Sequence, residues 1–178
     1  MISLRRAVAE DADAIAAVHV ASWHQGYDAI VPSAMSEGVT LERRTAMWQV
    51  LLSMHAETHL TLVAVTDGGR VVGFATASVG GTAIDGFDAE FHMVFLAPDH
   101  QRRDIGRRLV QTLSLVLLER GAIAAIGWVL VSTVACGFAT GLGGRELSRS
   151  SLNVPGGTVT QVLYALPPLA ALASAVTS

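Results

Sequence analysis

Between Gln101 and Arg108 the chain runs Gln-Arg-Arg-Asp-Ile-Gly-Arg-Arg, and four of its twelve basic residues fall inside that stretch. Every basic side chain is arginine, whose planar fork can grip phosphate oxygens two at a time. From Ile105 the apolar positions Ile105, Leu109, Leu113, Val116 and Leu117 recur at helical spacing, so the arginines stand where a helix opens. A helix start offers unpaired N–H groups and the positive end of its dipole. Such a turn can hold an anion, and phosphate suits it best. The plainer alternative is a solvated basic helix start.

A second set of candidates lies just upstream. Phe91 to Leu96 is apolar and aromatic, which predicts a strand, and Pro98 and Asp99 stop it. Alternation along that strand puts Glu90, His92, Val94 and Leu96 on one face. A carboxylate beside an imidazole could move a proton; otherwise they are a solvated carboxylate and a half-buried histidine. Asp85 and Asp88 in the preceding loop could attract a cation or simply be solvated. Trp23 and Tyr27, ahead of Ile30-Val31-Pro32, could line a pocket or staple a loop to the core. Cys136 has no basic neighbour in sequence and reads as a small apolar residue rather than a nucleophile.

These residues need elements to hold them. Ile2 to Arg6 alternates as a strand, and Asp11 can cap a helix from Ala12 to about His24 with Ile15, Val18 and His19 on one face. Thr40 can cap a second helix, Leu41 to about His55, with Met47, Trp48, Leu51 and Leu52 inward. Leu60–Val65 and Arg70–Ala77 read as strands around Asp67-Gly68-Gly69, a hairpin signal. A glycine- and acid-bearing loop, Gly80 to Asp88, leads to the strand ending at Leu96. The basic helix ends near Gly121, a plausible C′ glycine. A strand at Ala124–Leu130, a short helix at Val134–Gly141 and a last strand at Val159–Leu166 complete the order. Hairpins mixed with helical crossovers predict an α/β domain with a mixed, mostly antiparallel central sheet flanked by helices. Residues 1–166 form the single domain. Residues 167–178 form an apolar tail, which packs on the core or on a second copy in a homodimer.

Composition narrows the class. The chain has 178 residues, 51% of them hydrophobic and 15% charged, enough for a real core and too apolar for disorder. A formal charge of −3 gives no overall basic footprint, so nucleic acid is not an expected partner. One cysteine excludes an intramolecular disulfide and a cysteine-based zinc cluster. No secretory leader pattern opens the chain, so a cytoplasmic location is expected. Gly121 to Gly144 carries no charge and is long enough to span a bilayer. Its glycines and the Ser132-Thr133 pair favour instead a buried strand followed by a buried helix, with no membrane association.

The stretch from Val94 to Val110 resembles motif A of the GNAT N-acetyltransferase superfamily. There a strand runs into Q/R-x-x-G-x-G/A, and amides of that turn hold the pyrophosphate of acetyl-CoA. Gln101 matches the first position, Arg103 the basic position before the first glycine, and Gly106 the last. Asp104 stands where the family carries its first glycine, adding a side chain and a negative charge. The element order over residues 2–165 is similar to the family's. The resemblance implies acetyl-CoA as co-substrate and no metal. It implies Gln101, Arg102, Arg103, Asp104, Ile105, Gly106 and Arg107 around the pyrophosphate, and the backbone of Val94, Phe95 and Leu96 along the acetyl group and pantetheine. It also implies Glu90 as a base acting through water, with His92 able to relay, and Trp23 and Tyr27 on the wall of the acceptor site. After the fifth strand the family shows Asn and then F-Y-x-x-L-G. Phe138, Leu142 and Gly143 match, but Ser132 takes the Asn position and Ala139 the Tyr position. That Tyr commonly protonates the departing CoA thiolate. Alanine cannot, which leaves Ser132 or water. Two functions follow from the resemblance. One is an acetyl-CoA-dependent N-acetyltransferase whose acceptor, a primary amine of a small molecule or protein, attacks directly. The other, pointed to by Asp104 and Ala139, is a GNAT-fold protein with weak or no catalysis that binds a CoA ester or a protein partner.

Overall fold

The computed structural model describes residues 1–53, 58–80 and 82–174. The expected end of the second helix at His55, Gly81 of the acidic loop and the last four residues of the tail lie outside them. A seven-stranded sheet runs through the molecule in the order β1-β2-β3-β4-β5-β7-β6. β1 (Ile2–Arg6), β2 (His59–Thr66), β3 (Val71–Val79) and β4 (Ala89–Leu96) are antiparallel neighbours. β5 (Ala125–Leu130) runs parallel to β4, and β7 (Gly157–Ala165) pairs antiparallel with both β5 and β6 (Arg145–Val154). The sheet is therefore mixed and mostly antiparallel, as the hairpin signals and crossovers predict.

Two helical layers cover it. α4 (Ile105–Glu119) buries Ile105, Leu109, Leu113 and Leu117 against one face. Burying each such leucine contributes about 1.5–3 kcal/mol. A Cβ on Gly73 would collide with Leu96 and lie 3.6 Å from Leu109 Cδ1, so β3 lets α4 and β4 close together only because this residue is glycine. On the other face α1 (Ala12–Tyr27) and α3 (Leu41–Ser53) bring His19 and Trp48 onto Phe74, the residue next to Gly73 and thus on the opposite side of the pleat. α4 ends on a C′ glycine as expected: Gly121 has φ +85°, and the Ala122 N–H returns to Leu117 O at 3.1 Å.

Three elements were not legible. α2 (Ser33–Glu37) is a single short turn of helix. β6 carries no strand signal, because Arg-Glu-Leu-Ser-Arg-Ser-Ser-Leu-Asn-Val lacks an apolar alternation. It is an exposed edge strand, where one face need not be buried, and charged side chains suit such an edge. Pro155 and Gly156 (φ +84°) close the β6–β7 hairpin with the residues a type II turn requires. The tail resolves onto the core: α6 (Leu169–Ser174) packs along α4, with Leu169 and Leu172 buried. The uncharged stretch from Gly121 to Gly144 divides between β5 and α5 (Thr133–Gly141), and no helix among the described residues is long and apolar enough to cross a membrane.

Candidate active site

The site begins where two strands part. β4 and β5 pair only at Ala89↔Ala125, Glu90↔Ile126 and Phe91↔Gly127, although both strands continue. Beyond Phe91 they diverge, and a groove of about 1230 Å³ opens between them. The β3–β4 register also shifts here: Ala77 pairs with Phe91 and Thr76 with Met93, so His92 is an extra residue in β4. A bulge of this kind bends a strand and re-aims its side chains. It corrects the simple alternation. Leu96 faces α4, whereas Phe95 stacks on His19 of α1 with ring centroids 5.0 Å apart. Glu90 and His92 therefore do not share one face with Leu96.

At one end of the groove lies the basic turn. Arg102 (φ 57°) and Asp104 (φ 59°) are both left-handed, the two non-glycine residues with positive φ among those described. Aspartate is one of the residues that tolerates this region best, so it can replace glycine at modest strain. Asp104 Oδ1 lies 3.4 Å from Arg107 Nε, so its charge faces a guanidinium. Among the described residues no carbonyl accepts from the N–H groups of Arg102 to Arg107; the first such bond is Arg108 N–H to Asp104 O at 3.0 Å. The Gln101 amide donates to Leu96 O at 3.3 Å and to Gln25 Oε1 at 2.9 Å, which ties the turn to β4 and α1. Gln101, Arg102, Asp104, Gly106 and Arg107 line the groove. Arg103 does not line it, Ile105 is buried in the core, and Arg108 turns away to donate to Ile2 O at 3.1 Å. A Cβ on Gly106 would sit 3.3 Å from the Phe138 ring, so the glycine lets α5 close onto the start of α4.

The opposite wall comes from α1 and α3. Trp23 and Tyr27 pack ring to ring, with centroids 4.7 Å apart, and Tyr27 meets Phe95 edge-on at 6.5 Å. His19, one turn before Trp23, also lines the groove, with Arg44 and Met47 of α3. Burial, reinforced by Arg44, pushes His19 down to about 4, so it is neutral at pH 7. Trp48 Nε1–H donates to its Nδ1 at 3.3 Å, which leaves the ring proton on Nε2. The sequence placed His19 and Met47 on inward helix faces without a role, and it did not single out Arg44. Only the packing of α1 against α3 brings these residues to the groove.

Glu90 and His92 meet at the bulge. Glu90 Oε1 is 3.5 Å from His92 Nδ1, and His92 Nε2 is 2.8 Å from Ser78 Oγ. Burial lowers the His92 pKa; Glu90 works against that shift and His59, stacked at 6.0 Å, adds to it. His92 borders both the groove and a smaller cavity of about 220 Å³ behind it, whereas Glu90 lines neither. Asp85 is not in the groove, and Asp88 accepts from the Ile123 and Ala124 amides at 2.9–3.0 Å, a structural role.

Where β5 meets α5, Ser132 caps the helix by accepting from Ala135 N–H at 3.0 Å. Burial raises the pKa of nearby Tyr27, with the Cys136 thiol adding and Ser132 opposing. Tyr27 thus stays protonated, and it lines the same groove as Ala139, which takes the place of the tyrosine in the expected motif. Val94, Phe95, Leu96, Ser132, Phe138, Ala139 and Leu142 all line the groove. Cys136 is half-buried and packs with Ala139, Val162 and Tyr164.

A sequence profile described as the Acetyltransferase (GNAT) family matches residues 23–143. The uncharacterized N-acetyltransferase YuaI of Bacillus subtilis (strain 168) is 26% identical over 172 residues, covering 97% of this chain and 96% of its own. The PaiA N-acetyltransferase of Thermoplasma acidophilum, solved with coenzyme A, superposes with a TM-score of 0.72 at 17% identity, over 90% of this chain and 98% of its own. The yncA protein of Salmonella typhimurium, solved with its cofactor acetyl-CoA, gives a TM-score of 0.67 at 19% identity, over 95% and 94% of the two chains.

Proposed function

Because the chain belongs to the acetyltransferase (GNAT) family, and is therefore an acyl-transferring enzyme, we propose that it moves an acetyl group from acetyl-CoA to a primary amine of a small molecule or protein by direct attack. One observation carries this reading. The amides of Arg102 to Arg107 point to no internal acceptor, and they open a groove that begins where β4 and β5 separate. Free amides at a helix start, flanked by Arg102 and Arg107, suit a diphosphate. The unpaired edge of β4 past Phe91 supplies N–H groups to a pantetheine arm and to the developing oxyanion. The two solved relatives named with coenzyme A and acetyl-CoA support the same co-substrate.

In this reaction an N–C bond forms and the C–S bond breaks; the acceptor's ammonium loses one proton before its neutral amine attacks, and a second as the tetrahedral intermediate collapses, which balances the proton taken up by the departing thiolate. His92 faces the groove and is neutral at pH 7, with Glu90 behind it; the pair takes the first proton through water. The leaving sulfur takes a proton from Tyr27, backed by Ser132. A thiol of reference pKa about 8.5 leaves readily enough that this acid assists rather than decides the reaction. Asp104 does not argue for a silent binder, since its backbone is tolerated and its charge is matched by Arg107.

Thermal shift tests the reading. Acetyl-CoA at about 100 times its Kd should stabilise the protein by about 2.7 kcal/mol. No shift at millimolar acetyl-CoA would end it.

A further inference from the structure

The acceptor half of the groove contains donors without acceptors. Arg44 lines it, and its guanidinium makes no ion pair among the described residues; its one polar contact is Nη1 to Met47 Sδ at 3.5 Å. Arg44 Nε is buried with no hydrogen-bond partner. Trp23, 9% exposed and in the same wall, has a buried Nε1–H with no partner either. Buried polar groups are nearly always satisfied, so an orphan in the wall of a groove calls for a partner from outside the chain, a water or a bound group. Both groups can only donate, so the missing partner is an acceptor, and beside a guanidinium it is an anionic one. His19 strengthens the case: it stacks on Phe95, stays neutral, and so supplies no competing charge. Asp104, at the far end with Arg107, is the one carboxylate among the described lining residues. A polycationic amine would thus meet a like charge and no counter-ion here.

We infer that the amine acceptor carries a carboxylate, which Arg44 and Trp23 Nε1–H bind in the wall formed by α1 and α3, so that the substrate class is amino acids or close analogues. The aromatic lining from Trp23, Tyr27 and Phe95 favours an apolar side chain on that acceptor. This inference rests on the acetyl-transfer reading and specifies the other substrate of the same site.

The test uses matched pairs: leucine against isoamylamine, and phenylalanine against phenethylamine, each with acetyl-CoA and CoA thiol release as readout. The carboxylated member should have the higher kcat/KM by about ten-fold or more, as a charge-assisted contact predicts. In Arg44→Met that preference should collapse, chiefly through KM, and Arg44→Lys should restore part of it. Equal use of both members, or a preference unmoved by Arg44→Met, overturns the inference. Calorimetric binding of leucine and phenylalanine to the wild-type and Arg44→Met proteins, without co-substrate, decides it even if nothing is turned over: binding lost in the variant supports it, and no binding by the wild type sinks it. Failure of acetyl-CoA to shift the melting temperature would instead remove the acetyl-transfer reading, and the amino-acid binding result would stand by itself.

Discussion

Asp104 Oδ1 lies 3.4 Å from Arg107 Nε, one turn along α4, so a carboxylate faces a guanidinium at the mouth of the proposed anion site. The residue is costly twice over. Its φ of 59° is a conformation glycine adopts freely, and its charge engages a guanidinium that an incoming phosphate could use. Asp104→Gly should therefore tighten coenzyme A binding and raise stability by about 1 kcal/mol from the relieved left-handed strain. Calorimetry with coenzyme A checks this. Unchanged or weaker affinity would refute this account of Asp104.

The basic turn, its strand and its helix were legible because their signals are local. An apolar run stops at Pro98, and an apolar stripe starts at Ile105. What could not be read depends on packing. The bulge at His92 is set by how β3 and β4 register, and no residue type at position 92 announces it. It moves Leu96 off the face that alternation assigned. Arg44 and His19 come together only when α3 lies on α1. Arg108 shares its sequence with the anion site but sits on the helix face that looks at β1.

His19 should make stability depend on pH. Its folded pKa is near 4 and its unfolded value near 6.5. Above pH 6.5 neither state binds the proton and there is no effect. As pH falls from 6.5 toward 4, the unfolded chain takes up a proton that the folded one refuses, and stability drops. The loss should approach roughly 3 kcal/mol, reached near pH 4. His19→Gln keeps an acceptor for Trp48 Nε1–H and should flatten denaturant-derived stability across that window. If the wild type and the variant fall in parallel, burial of a neutral His19 is not the cause.

Asp11 acts with the same sign, in a more acid window. Arg5 holds its carboxylate with bonds of 2.6 and 2.8 Å, and Val8 N–H adds one at 2.9 Å. The Arg5 bond, above all, lowers its pKa. Its stabilisation is present above the unfolded carboxylate value of about 3.9 and fades as pH falls below it. Asp11→Asn should cost about 1–3 kcal/mol at pH 7, because it breaks a charge-assisted pair where β1 meets α1. It should also remove part of the acid-limb loss seen in wild type between pH 4 and 2. A variant as stable as wild type at pH 7 would show that the pair contributes nothing.

Glu90 and His92 make a prediction about rate rather than stability. Burial lowers the His92 pKa, and Glu90, 3.5 Å from Nδ1, opposes that shift. If His92 accepts the amine's proton, kcat/KM should rise with pH as the imidazole becomes neutral. Glu90→Gln removes the group that raises the pKa, so the rising limb should move to lower pH. The plateau should fall as well, because a weaker base takes the proton less readily; loss of general-base help is worth on the order of 10²-fold or more. His92→Gln should abolish the limb and leave acetyl-CoA binding in place, since the proposed diphosphate site lies at the other end of the groove, at the Arg102–Arg107 turn. A pH–rate profile unmoved by Glu90→Gln would show that the proton leaves by another path, and His59, stacked on His92 at 6.0 Å, would be the next group to replace.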